Sequence, residues 1–262
     1  MAQQKQTGQK IRCPTRGAAF ATQREMFELA AEGGLLMPGR VLVFDVNETL
    51  LDLQSLDLLF ARGFGDAAVR RQWFQQFVQN FLVTIAVGVY VDFGTIGGKT
   101  LDMIAERHGR TLADEDRQRI LGGLRELSPY PEVRPSLERL KASGFRLGTL
   151  TNSTKAVAEA QMRNSGLVDL FDQILSADEV KRLKPAPEPY HLAADRFAVK
   201  TEQLRLVAAH AWDVAGALHA GCKAAFVARP GMVLDPTHEP PDVIGEDLAD
   251  VAERIIAADL RS

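Results

Sequence analysis

The chain has 262 residues, 46% of them apolar, enough for one sizeable core or a core with a smaller insert. Its net charge of −3, from 31 basic and 34 acidic side chains, points away from nucleic acid and from anionic membrane surfaces as partners. Two distant cysteines, Cys13 and Cys222, argue against a disulfide scaffold or a zinc site and fit a reducing, cytoplasmic setting.

Residues 1–37 come first. MAQQKQTGQKIRCPTRGAAF is basic, polar and free of acid until Glu25. A transit peptide has this composition. So has a disordered tail followed by one short helix around TQREMFELAA, the reading preferred here. A translation start at Met37 is a third. In each case the segment is expected to carry no chemistry.

The first strand-like run is VLVFDV (41–46), inside VLVFDVNETLLD. Four apolar residues lead directly into an aspartate, Asp45. The next such run, FRLGTL (145–150), lies nearly a hundred residues on. What separates them is helical in pattern: LDLLFARGF, DAAVRRQWFQQFVQNFLVTIAVG, TLDMIAERHG and LADEDRQRILGGLREL. Residues 55–130 therefore read as a helical cap domain, with Trp73, Phe74, Phe77 and Phe81 spaced to pack inward. An insert placed there can close a site and exclude water. PYPEVRPS, with three prolines, is the return linker.

Beyond the linker, strand and helix alternate. FRLGTL, QILSA (173–177), LRLVAA (204–209) and CKAAFVA (222–228) are apolar runs separated by SLERLKAS, TKAVAEAQMRNS, PEPYHLAADRFA and DVAGALHAG. Continuous apolar strands between helices predict a parallel sheet covered on both faces. The fold class is thus α/β, a Rossmann-like core of residues 38–54 and 131–262 with the cap inserted after the first strand.

In such a sheet, ligands bind beyond the carboxyl ends of the strands. Asp45 ends the first strand, Thr151 and Asn152 follow the second, Lys184 the third and Asp213 the fourth. Singly, each reads as a cap, a turn or a surface charge. Together, in order on one rim, they read as a site.

FDVNETLLD, TLTNS, EVKRLKPAPEPY and HAWDVAGA resemble the four successive motifs of the haloacid dehalogenase superfamily. The third and fourth resemble the L-2-haloacid dehalogenases of type II in particular. The resemblance covers residues 40–230 and implies hydrolysis of 2-haloacids without cofactor or metal, by a homodimer. It makes Asp45 the nucleophile that forms an ester, which water then cleaves. Lys184 holds Asp45 ionised and Thr49 orients it. Thr151 and Asn152 grip the substrate carboxylate or the halide. Tyr190 lies near the site, and Asp213 binds Lys184 and positions the hydrolytic water. An arginine from the insert draws off the halide; Arg71 is the first choice and Arg70 the second.

Two positions carry information of their own. Phosphatases of the superfamily place an acid two residues after the nucleophile, to protonate the leaving oxygen. Here that residue is Asn47, which cannot serve so. Halide needs no such proton, so the amide fits carbon–halogen cleavage. The fourth block offers Asp213 without a second acid close behind, which is poor for a hard cation. Asn47 and Trp212 are expected to line the substrate pocket. His210 stands where the family has asparagine, and it is expected to line the site too. A phosphatase acting on a small metabolite and a catalytically weak anion-binding module are the alternatives.

Overall fold

The structure, a computed structural model, describes residues 41–259. The expected tail, 1–37, and Cys13 lie outside the described residues. β1 (Val41–Phe44), β4 (Arg146–Thr151), β5 (Gln173–Ser176), β6 (Leu204–Ala208), β7 (Lys223–Val227) and β8 (Val243–Gly245) form one sheet in the order β5-β4-β1-β6-β7-β8. Every pairing in it is parallel. The expected Rossmann-like α/β core is therefore present. β1 sits at the centre, with Val43 opposite both Gly148 and Leu206.

Alternation along β1 divides the core. Val41 and Val43 face α7 (Pro187–Phe197) and α8 (Ala211–His219), in a cluster with Tyr190, Phe197 and Val214. Leu42 and Phe44 face the other way, in a cluster with Leu137 of α5 (Val133–Ala142), Met162 of α6 (Lys155–Asn164) and Ile255 of α9 (Leu248–Asp259). All four β1 residues are buried, as a strand covered on both faces requires.

Among the elements that escaped the sequence reading are β8 and α9. VIG is three residues long and follows a proline-rich loop, so its strand character comes from pairing with β7 rather than from local pattern. α9 completes that layer by packing Val251 and Ile255 into the core.

Between β1 and β4 the chain forms β2 (Leu51–Asp52), α1 (Asp57–Phe64), α2 (Val69–Ala86), α3 (Phe93–Arg107), α4 (Asp114–Gly123) and β3 (Ser128–Pro129). β2 and β3 pair antiparallel, joining the outgoing and returning chain. Trp73, Phe74, Phe77 and Phe81 are all buried. Trp73 donates its Nε1–H to Gly97 O at 3.0 Å, and the Phe77 and Phe93 rings lie 4.2 Å apart. α3 starts earlier than its apolar periodicity indicated. Asp92 caps it by accepting from Thr95 N at 2.9 Å. Gly97, in a Gly-Gly pair that is a poor helix signal, lets the Phe77 ring approach the α3 backbone. No described helix is long and apolar enough to cross a membrane.

Gly216 of α8 sets the distance between α8 and the Lys184–Pro185 turn. A Cβ there would lie 2.5 Å from Pro185 Cβ and 2.6 Å from Tyr190 Oη. Gly216→Ala should therefore destabilise the fold by about 1–3 kcal/mol through overpacking. Urea unfolding of the variant would measure this, and full stability would show that α8 has room to retreat.

Candidate active site

Lys184 is the hub of the rim. Its ammonium is fully buried, and each of its three donors has a partner. Nζ donates to Asp45 Oδ1 at 2.9 Å, to Asp213 Oδ2 at 2.6 Å and to Leu150 O at 2.7 Å. Asp45 comes from the end of β1, Leu150 from β4 and Asp213 from the first turn of α8. The Lys184 backbone is bracketed by Asn152, whose Oδ1 accepts from Lys184 N at 2.7 Å and whose Nδ2 donates to Lys184 O at 3.1 Å.

The two carboxylates meet different environments. Burial alone would raise Asp45, but the Lys184 charge and the His210 contact outweigh it and hold it well below the usual carboxylate range. Asp213 is raised by burial and by the neighbouring Asp45 charge, which Lys184 only partly offsets. Tyr190 Oη donates to Asp213 Oδ1 at 2.6 Å. Burial works against the Lys184 ammonium, yet its two carboxylates raise its pKa.

The oxygens of Asp45 are not equivalent. Among the described residues, Oδ1 accepts from Lys184 alone. Oδ2 accepts from Thr49 Oγ1 at 2.8 Å and meets His210 Nδ1 at 3.1 Å. The Thr49 hydroxyl itself accepts from Ala209 N at 3.0 Å, which fixes the direction of its proton. The other His210 nitrogen, Nε2, meets Glu48 Oε2 at 3.1 Å. The imidazole stacks on Trp212, with ring centres 5.1 Å apart, and lies near Phe74. Burial lowers the His210 pKa, but the bonds to Asp45 and Glu48 outweigh it and push it up to about 9.

The other expected residues fall into place unevenly. Thr151 is buried and its Oγ1 accepts from Ser153 N, so it shapes the turn after β4. Asn47 is turned from Asp45 toward α6, where its Oδ1 accepts from Gln161 Nε2 at 2.9 Å. Trp212 is half-buried, and its Nε1 has no hydrogen-bond partner among the described residues. Arg70 is buried and pairs with Asp57, with Nη1 3.9 Å from Glu48 Oε1. Arg71 is exposed, one helical step away. Both line a cavity of about 670 Å³ together with Glu48, Phe74, His210 and Arg229.

Glu48 and Arg229 were not anticipated. Glu48 follows the first strand in a turn where an acid ordinarily reads as solvated, and nothing in the local pattern marks it. Arg229 could have been found, because it follows β7 on the same rim. Its Nη2 donates to Thr49 O at 2.9 Å and its guanidinium lies 3.7 Å from the Tyr130 ring centre. The oxygens of this rim do not suit a divalent cation, since the Lys184 ammonium bridges Asp45 and Asp213. Among the described residues no group of three or more His, Cys, Asp and Glu side chains is arranged to hold one.

A family model described as haloacid dehalogenase-like hydrolase matches residues 40–221. (S)-2-haloacid dehalogenase 1 of Pseudomonas sp. (strain CBS-3) is 32% identical over 182 residues, covering 69% of this chain and 80% of that protein. (S)-2-haloacid dehalogenase 4A of Burkholderia cepacia is 31% identical over 198 residues, covering 73% of this chain and 84% of that protein. A solved L-2-haloacid dehalogenase from Xanthobacter autotrophicus matches with a TM-score of 0.78 at 24% identity, over 84% of this chain and 99% of that one, a likeness of fold.

The His210 and Asp45 shifts have opposite consequences for stability. The raised His210 contributes fully below its ordinary value of 6.5, and that contribution is lost as pH rises through about 9. The lowered Asp45 contributes above its ordinary 3.8 and loses that contribution as pH falls. The melting temperature should therefore decline between pH 6.5 and about 9, and His210→Asn should flatten that decline. Scanning calorimetry across this range is the check; identical slopes in both proteins would remove His210 as the cause.

Proposed function

The chain belongs to the haloacid dehalogenase-like hydrolases, and on that premise we propose that it hydrolyses short 2-haloacids to 2-hydroxy acids through an ester on Asp45. The observation that carries this reading is the geometry of Asp45. It is a buried, ionised carboxylate with one oxygen held twice and the other held once. Oδ1 keeps a free lone pair for attack on the carbon bearing the halogen, and the halide leaves with the bond pair. Arg70 and Arg71 line the cavity as the cations that receive the halide. Arg70 stands nearer, through Glu48, and Arg71 is the more accessible. The unpartnered Trp212 Nε1 and the Thr151 hydroxyl are donors for the substrate carboxylate.

In the second step water attacks the Asp45 carbonyl carbon. Its proton goes to Asp213, whose raised pKa makes it the better acceptor of the two carboxylates. Lys184 gives a proton to the departing Oδ1, the 2.6 Å contact with Asp213 restores it, and the water's second proton leaves the new Asp45 carboxyl for solvent, which regenerates the carboxylate. Asn152 and Tyr190 are positioning residues in this scheme, for Lys184 and Asp213 respectively. The helices α1–α4 act as the cap that excludes water during the first step. Asn47 offers no acid for a phosphate leaving group, which disfavours the phosphatase reading. Cys222, a buried free thiol, fits a cytoplasmic enzyme. The assembly implied by the family resemblance is a homodimer.

The product oxygen tests the scheme. With enzyme in excess over a 2-haloacid, in water labelled with heavy oxygen, one turnover should leave the label on Asp45 and the hydroxy acid unlabelled. Labelled product would mean direct attack by water. Asp45→Asn should lose all halide release, with mass spectrometry excluding deamidation back to aspartate. Chelator should leave the wild-type rate unchanged; phosphate release restored by magnesium would favour a phosphatase instead.

A further inference from the structure

We propose that the His210 imidazolium, held by Glu48, and the Thr49 hydroxyl form an oxyanion hole for hydrolysis of the Asp45 ester. The inference rests on the nucleophile assigned above. The contacts of His210 favour its doubly protonated form. Each ring nitrogen meets a carboxylate oxygen at 3.1 Å, and ionised carboxylates only accept. With an acceptor at each nitrogen, the arrangement suits an imidazolium that donates from both.

The donors converge on the right atom. Once Oδ1 has become the ester oxygen, Oδ2 is the carbonyl oxygen. When water adds to the carbonyl carbon, the π pair moves onto Oδ2, which becomes the oxyanion. Thr49 Oγ1 at 2.8 Å and His210 Nδ1 at 3.1 Å already point there. The pair then returns as the bond from the carbonyl carbon to Oδ1 breaks, and the proton transfers are those of Asp213 and Lys184. His210 contacts a reacting atom throughout and is a catalytic residue in this scheme. It needs no rearrangement between steps, which is what makes such donors effective.

Glu48 is the positioning residue, and its backbone shows what holding that carboxylate involves. Its φ is +61°, in the left-handed region that favours glycine. A side chain there costs on the order of 1–2 kcal/mol. The carboxylate is needed because alkylation removes the Asp45 charge, one of the two that keep His210 protonated. Glu48 remains. The charged groups around His210 are then Glu48 from the turn, with Arg70 of α2 on its far oxygen, Lys184 beyond Trp212, and Asp213 on its own helix, itself paired with Lys184. Arg71 and Arg229 share the cavity and Phe74 flanks the ring. Without Glu48 the imidazolium of the ester state faces cations and aromatic rings, and burial favours its neutral form.

Rapid-quench mass spectrometry of the Asp45 peptide, with (S)-2-chloropropionate, separates ester formation from ester hydrolysis. His210→Ala should slow hydrolysis by about 10²–10³-fold and let the ester accumulate. Glu48→Gly relieves the left-handed strain, which offsets part of the lost His210 and Arg70 contacts, and its melting temperature checks that the variant is folded at the assay temperature. Its hydrolysis step should nevertheless slow, and should slow further as pH rises through neutrality, while wild type stays flat from pH 6 to 8. Hydrolysis in Glu48→Gly that speeds up with pH would make neutral His210 a general base and overturn the proposal. Unchanged hydrolysis at every pH, with an ester seen in wild type, would overturn it and leave the nucleophile assignment standing. Chloride release by wild type with no ester ever on Asp45 would overturn both.

Discussion

One ammonium organises this rim. Lys184 reaches its three acceptors from the loop after β5, and they arrive from β1, β4 and α8. A buried charge of this kind is costly unless every proton and lone pair is engaged. The surroundings meet that condition from all sides. Asn152 fixes the Lys184 backbone at both its N–H and its C=O. Tyr190 takes the second oxygen of Asp213. Thr49 and His210 take the second oxygen of Asp45. Much of what looks like a binding pocket in a motif alignment is therefore scaffolding for one cation.

The same cation separates two carboxylates that would otherwise behave alike. Asp45 has partners on both oxygens that favour its anion, and it stays ionised, as the nucleophile proposed above must. Asp213 is buried between Lys184 and Tyr190, and its pKa is raised, as the proton acceptor proposed above requires. Two titratable groups pushed in opposite directions by their surroundings are the ordinary physical basis for dividing attack from proton transfer.

Much of the core was legible in the sequence, because parallel strands buried on both faces leave continuous apolar runs and their polar ends mark one rim. VLVFDV, FRLGTL, QILSA, LRLVAA and CKAAFVA all form strands. β8 was not legible, since three residues after a proline-rich loop carry no period and the strand exists only through its partner. The rim positions Asp45, Thr49, Lys184, His210 and Asp213 do come together. The finer geometry was hidden. Sequence spacing could not say that Asn47 turns toward Gln161, that Asn152 serves the Lys184 backbone, or that Arg70 is buried while Arg71 is exposed. Adjacent helix positions differ by about 100° in direction, and only packing decides which faces inward. Glu48 was invisible for a different reason: an acid in a turn has no pattern, and its partner lies more than a hundred residues away.

The short β2–β3 pair has a consequence for how such an enzyme can change. The chain leaves the core at Asp52 and returns at Ser128, and these two residues sit opposite each other in one ladder. Tyr130 N then bonds Leu50 O, extending the seam. The helices between are thus a closed loop with pinned ends. In a flexible loop, each doubling of length costs only about 0.6 kcal/mol in closure entropy. Growth or trimming of that segment between its pinned ends need not shift the sheet register that sets the Lys184 contacts. Phe74 and the two arginines would travel with that segment, whereas Asp45, Lys184, His210 and Asp213 would stay. The shape of the pocket and the machinery beneath it can therefore be inherited separately.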